Sequence, residues 1–121
     1  MSSAEMLRPQ SGRAGERRLD LIFRALGDRT RRKLLATLAQ KPAMVTELAE
    51  PFSMSLPAVS RHIRVLEKAG LVSREVDGRV HHCSLRPEPL KNVEAWLGYY
   101  RKFWASALES LARHVEDGKD G

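Results

Sequence analysis

The sequence predicts a winged helix-turn-helix, a mainly α-helical domain with a small β-hairpin wing and a long C-terminal dimerisation helix. Three observations predict it. Residues 45–71, VTELAEPFSMSLPAVSRHIRVLEKAGL, read as two short helices joined by a tight turn. Asp77-Gly78 marks a hairpin between two short β-prone runs. Beyond Pro87, apolar and aromatic residues recur at threes and fours almost to the end of the chain.

The elements follow in order. Residues 1–18 are rich in Ser, Gly, Arg and Pro and have little to bury, so they read as a flexible basic tail. Its four Arg against two Glu suit a solvated tail first and a DNA-tracking arm second. The folded domain is expected over residues 19–115, with 116–121 as a flexible end. Leu19, Ile22, Phe23 and Leu26 form an apolar stripe that stops at Gly27. Asp28 then suits the N-cap of a second helix, with Leu34, Leu35 and Leu38 facing inward. Arg29, Arg31, Arg32 and Lys33 crowd its first turns, where cations oppose the helix dipole. A nearby phosphate would relieve them, which makes Arg31 a candidate DNA contact. An exposed basic turn explains them equally well.

Residues 45–52 form the brace helix, with Val45, Leu48, Ala49 and Phe52 at helical spacing. Ser53 and Met54 make the turn, and Ser53 is a candidate phosphate ligand. Ser55 is expected to cap the next helix and Pro57 falls in its first turn. Val59, Ile63 and Leu66 share its inner face, and Gly70 stops it. Its outer face carries Ser60, Arg61 and Arg64, with Pro57 and Ala58 at the tip. Arg takes guanine O6 and N7 as a bidentate pair, and Ser reaches phosphates or base edges. On an isolated helix the same residues would be a solvated face. Between a brace helix and a hairpin they point to DNA, with Ser53, Ser55, Pro57, Ala58, Ser60, Arg61 and Arg64 as the candidate set.

Pairing outward from Asp77-Gly78 sets Val76 against Arg79, Glu75 against Val80 and Val72 against Cys83. Val72, Cys83 and Leu85 then share the core face. Arg79 at the tip and Arg74 further down are placed for phosphates or a narrow minor groove. The plain alternative is a solubilising hairpin.

The last helix, from Pro87 or Pro89 to about Val115, overhangs so small a domain. Leu90, Val93, Leu97, Tyr100, Trp104, Leu108, Leu111 and Val115 follow one stripe, which Trp96 and Phe103 widen. A second copy is expected to cover it. The candidate dimer interface is Leu19, Ile22 and Phe23 with Leu97, Tyr100, Trp104, Leu108 and Leu111. Two-fold symmetry would set two recognition helices one DNA turn apart, ~34 Å.

The whole chain agrees. It has 121 residues and a net charge of +6, with a sequence pI of about 10.0. That favours a polyanionic partner without choosing among DNA, RNA and membrane surface. One cysteine excludes an intramolecular disulfide. With no apolar run long enough to span a bilayer and no signal-like apolar core, the expectation is a cytoplasmic protein. No Ser-His-Asp spacing, phosphate loop or paired acidic motif suggests an enzyme.

LGDRTRRKLLATL, the helix-turn-helix segment, VDGRVHHCSL and the closing WLGYYRKFW together resemble the ArsR/SmtB family of winged-helix repressors. The resemblance covers about residues 19–115. It implies a homodimer held by its first and last helices and bound to an imperfect palindrome near its own promoter. It implies repression relieved by an effector. The metal-sensing patterns of the family are missing. ELAEPF stands where arsenic- and cadmium-type members carry Cys-x-Cys, and the last helix offers His114 near Glu109 and Glu116 but no second His. His81 and Cys83 point to one face of a strand and His82 to the other, which suits no single ion. No metal or other cofactor is expected, and the effector stays open. Two other readings stay open as well, a winged-helix module for protein or RNA, and a metal- or small-molecule-responsive repressor with an unrecognised effector site.

Overall fold

Apolar faces of four helices and the base of a hairpin meet in one core. In the computed structural model, which describes residues 13–120, the order is α1 (Arg13–Leu26), α2 (Arg29–Gln40), β1 (Ala43–Met44), α3 (Val45–Ala49), α4 (Leu56–Lys68), β2 (Val72–Asp77), β3 (Val80–Leu85) and α5 (Glu88–Asp120). The core gathers Ile22, Leu34, Leu48, Val59, Ile63, Leu66, Leu71 and Cys83, all fully buried or nearly so. The stripes that predict the helices are the faces that are buried. Each fully buried Val, Leu or Ile contributes about 1.5–3 kcal/mol.

The caps work as their residue types require. Asp28 Oδ1 accepts from the Arg31 backbone N–H at 3.1 Å and starts α2. Ser55 Oγ accepts from the Ala58 N–H at 3.3 Å and starts α4. Gly70 ends α4 with φ of 77°, a conformation that favours glycine. Helix α3 is shorter than the expected 45–52 because Pro51 has no backbone N–H to continue the hydrogen-bond ladder, although Glu50 itself keeps helical angles.

Two further boundaries differ from expectation. Helix α1 starts at Arg13, so residues 13–18 are helix rather than tail. Ala14, Glu16, Arg17 and Arg18 favour helix or tolerate it, Glu16 complements the N-terminal dipole, and Gly15 is buried. Residues 1–12 of the expected tail lie outside the described residues. Helix α5 continues past Val115 to Asp120, since no proline follows Pro89 to stop it.

The sheet has the order β1-β3-β2, all antiparallel. Strand β1, only two residues long, pairs Ala43 with Cys83 and Met44 with His82. The hairpin register corrects the expected one. Asp77 pairs with Val80, Val76 with His81 and Val72 with Leu85, so the turn is Gly78-Arg79. Gly78 has φ of 64° and takes the first central position, where a two-residue hairpin needs positive φ. The shift moves each partner by two residues and leaves the faces unchanged. Val72 and Cys83 are buried and Leu85 packs beside them.

The start of α5 is tied to α1 through aromatic rings. Phe23 meets Trp96 edge-on at 5.5 Å, Trp96 lies 4.9 Å from Tyr100, and Tyr100 stacks on Trp104 at 5.9 Å. Beyond Tyr100 the side chains of residues 101–118 are all exposed. No helix among the described residues is long and apolar enough to cross a membrane.

The α2 cap gives a pH prediction. The Asp28 carboxyl is held below its ordinary value mainly by the Arg31 backbone hydrogen bond, which outweighs the opposing effect of burial, with smaller help from the His62 and Arg31 charges. A lowered folded-state pKa gives stability that is present above the unfolded value and lost as pH falls through the folded one. Asp28→Ala is expected to cost about 0.5–2 kcal/mol in urea unfolding at neutral pH. Asp28→Asn should keep most of the cap while flattening the acid limb of the stability profile. Equal acid sensitivity in wild type and Asp28→Asn would show that other carboxylates set it.

Candidate nucleic-acid interface

Burial of Val59, Ile63 and Leu66 fixes the rotation of α4. The opposite side must then present Pro57, Ser60, Arg61 and Arg64, which recur at threes and fours. Arg61 and Arg64 are exposed and Ser60 and Ala58 half-buried. Ser53, in the turn before α4, is exposed. Arg79 stands exposed at the wing tip, in the second turn position. Among the described residues, no carboxylate lies within 4.0 Å of Arg61, Arg64 or Arg79. These three cations, on one helix face and the neighbouring wing, are unneutralised by the protein itself.

Two expected DNA ligands are committed elsewhere. Arg31 Nε donates to the Ala25 carbonyl at 2.8 Å and Nη2 to the Arg24 carbonyl at 2.7 Å. Its Nη1 lies 3.2 Å from His62 Nδ1. Arg32 Nη1 donates to the Leu26 carbonyl at 2.7 Å. Sequence reasoning had correctly noted that these cations oppose the α2 dipole. The relief comes from the negative C-terminal end of α1, whose last carbonyls lack helical partners. A phosphate is not needed there. Arg74 is also engaged, with Nη2 2.6 Å and Nε 3.0 Å from Glu67 Oε1 and Nη1 3.2 Å from His81 Nδ1. Its side chain is only 11% exposed, so it braces the wing against α4. Ser55 keeps its capping role.

Sequence reasoning missed Glu67 and His62. Each looks like an ordinary polar residue on α4, and only the fold brings Arg74 and Arg31 against them. A groove between α4 and the wing was missed as well, lined by Met44, Thr46, Leu56, Ser60, Arg64 and Val80 among others.

Of the expected dimer residues, Ile22 is corrected. It is fully buried within the single chain and has no surface left for a partner. Its neighbour Phe23 and, on α5, Leu97, Trp104, Leu108 and Leu111 are exposed. Leu19 and Tyr100 are half-buried.

His81, His82 and Cys83 diverge. His81 faces Arg74, His82 is exposed, and Cys83 is buried. Burial pushes the Cys83 thiol pKa up, which disfavours the reactive thiolate. Among the described residues, no three His, Cys, Asp or Glu side chains are grouped to hold a metal ion.

Comparison with known proteins agrees with this geometry. A family model described as a helix-turn-helix domain matches residues 26–75. The HTH-type transcriptional regulator Rv2034 of Mycobacterium tuberculosis is 36% identical over 101 residues, 84% of this chain and 92% of that protein. The transcriptional repressor SdpR of Bacillus subtilis is 32% identical over 76 residues, 63% of this chain and 84% of that one. A crystal structure of an ArsR family transcriptional regulator shares 44% identity with a TM-score of 0.72, covering 75% of this chain and 94% of the other. The chain belongs to the ArsR/SmtB family of winged helix-turn-helix regulators. As a family member it is a DNA-binding transcriptional regulator, not an enzyme.

For this ArsR-family regulator the internal role of Arg31 is testable. Arg31→Ala should lower unfolding stability by about 1–3 kcal/mol, as expected for lost hydrogen bonds from a charged donor. The salt dependence of DNA binding should stay the same. A slope reduced by about one unit with unchanged stability would return Arg31 to the phosphate contacts.

Proposed function

We propose that this regulator is a homodimeric repressor that binds a palindromic operator in promoter DNA, working in the cytoplasm where that DNA is held. The observation that carries the reading is the unneutralised set Arg61, Arg64 and Arg79 on α4 and the wing. In this reading α4 enters the major groove with Pro57, Ala58 and Ser60 near the base edges. Arg61 reads a base edge, and Arg64, Arg79 and Ser53 hold the backbone.

The dimer is supported by α5. At 33 residues it extends about 50 Å at 1.5 Å per residue, longer than its own domain can cover. Trp104 is 43%, Leu108 65% and Leu111 59% exposed along one stripe. Exposed apolar surface of this kind marks an interface. We assign Leu19, Phe23, Leu97, Tyr100, Trp104, Leu108 and Leu111 to it, without Ile22. A two-fold axis there would place the recognition helices on successive turns of DNA, ~34 Å apart.

The test is binding to the DNA upstream of the protein's own gene against a scrambled duplex over a salt series. Preferential binding of one dimer per palindrome, with a steep salt slope, is expected. Equal weak binding to both duplexes would overturn autoregulation. Arg61→Ala should cost about 1–3 kcal/mol on the specific site only. A loss that is equal on both duplexes would move Arg61 to the backbone contacts. Trp104→Ala should raise the dimer dissociation constant in sedimentation at low concentration. An unchanged constant would send that part of α5 back to packing within one chain.

A further inference from the structure

The groove between α4 and the wing is an open cleft of about 480 Å³, within the ~300–1,000 Å³ typical of small-molecule sites. Its floor is apolar, with Leu56 47% and Val80 40% exposed beside Met44 and Pro57. Arg64 and Arg79 line it, and Thr46 and Ser60 add hydroxyls. No carboxylate lines it. The third cation of the lining, Arg74, is taken by Glu67 at 2.6 Å, which leaves Arg64 and Arg79 to carry the positive charge.

Operator DNA explains the two cations but not the floor. Phosphate offers nothing apolar to Leu56 and Val80, and DNA could cover them only with thymine methyls or sugar edges. A ligand with an apolar body and one negative end uses every part of the cavity. Its body covers the floor, and its carboxylate takes charge-assisted hydrogen bonds from Arg64 or Arg79.

We propose that this groove binds a small amphipathic carboxylate, a ring system or short acyl chain with one acidic group, and that occupancy expels operator DNA. The regulatory half rests on the operator reading above. A ligand carboxylate on Arg64 or Arg79 takes donors that a DNA phosphate would use, and the ligand body fills the cleft that faces the DNA, so the two ligands compete. Induction then needs no metal ligand and no second conformation. The competitor takes at least one contact from the interface directly.

The experiment titrates the full-length protein with 2-naphthoate, its uncharged analogue 2-naphthamide, decanoate and inorganic phosphate. Amide NMR shifts locate binding, and fluorescence anisotropy of labelled operator reports release. Naphthoate or decanoate is expected to shift Thr46, Leu56, Ser60 and Val80. Each should weaken operator binding about a hundredfold at ten times its own dissociation constant, because both grooves of the dimer must be empty for the operator to bind. Naphthamide and phosphate should each bind at least about tenfold more weakly, a full step in affinity. Val80→Glu, at an exposed wing position, sets a carboxylate into the cavity and should abolish naphthoate binding while the rest of the spectrum stays native.

Shifts elsewhere, equal binding of naphthamide, or no response to either carboxylate at millimolar concentration would overturn the ligand site. Groove binding that leaves a bound operator in place would overturn the competition. Groove binding in a protein that ignores every duplex would support the ligand site and overturn only the operator reading.

Discussion

The rest of the structure depends on the burial of one face of α4. Val59, Ile63 and Leu66 are fully buried, and α4 packs on α1, α2, α3 and β2. A helix held on so many sides cannot rotate without exposing all three side chains. At about 1.5–3 kcal/mol each, that exposure would consume much of the ~5–15 kcal/mol by which a domain is stable. The outer face is therefore presented as a rigid body. Arg61 and Arg64 gain their placement from residues that touch no DNA.

A second constraint shapes the charge. The chain is strongly basic, yet its cations are not interchangeable. Arg31 and Arg32 hold the end of α1 through the carbonyls of Arg24, Ala25 and Leu26. Arg74 holds the wing to α4 through Glu67. On the outer face of α4 and the wing tip, Arg61, Arg64 and Arg79 remain without a carboxylate within 4.0 Å among the described residues, as do other surface cations such as Arg29, Lys41 and Lys68. Net charge alone marks the whole surface as suited to a polyanion. Internal pairing removes Arg31, Arg32 and Arg74 from that surface, and the Arg74–Glu67 bond also ties the wing to α4.

Much of this was legible in the sequence, for a physical reason. Helical stripes, the Asp28 and Ser55 caps and the Gly70 stop are local, and each depends on residues within about one turn. The hairpin was legible but its register was not. Glycine satisfies a tight turn at either central position, so Asp77-Gly78 and Gly78-Arg79 were both open until the strands paired. Strand β1 has two residues and no periodicity to read. Arg31 and Arg74 read as free cations in the sequence because their internal partners are set by tertiary approach. Ile22 and Phe23 show the same limit within one stripe. Both are apolar and adjacent, yet one is sealed in the core and the other is left exposed. Periodicity marks a stripe as apolar without dividing it between the chain's own core and a partner.

The two halves of α5 make that division useful. Its first half is fastened through Trp96 to Phe23 of α1 and onward to Tyr100 and Trp104. Beyond Trp104 its second half runs free of the core, with every side chain from 105 to 118 exposed. The fastened half fixes the direction in which the free half leaves the domain. In the dimer we propose, a partner that grips the free half thereby orients the domain behind it. Helix α1 packs on both α5 and α4, so the grip reaches the recognition helix through packed side chains alone. The spacing of two recognition helices would then be set by the geometry of α1 against α5. A small molecule in the groove beneath the wing could remove DNA without disturbing that spacing. Assembly and release would thus depend on separate parts of the same short chain.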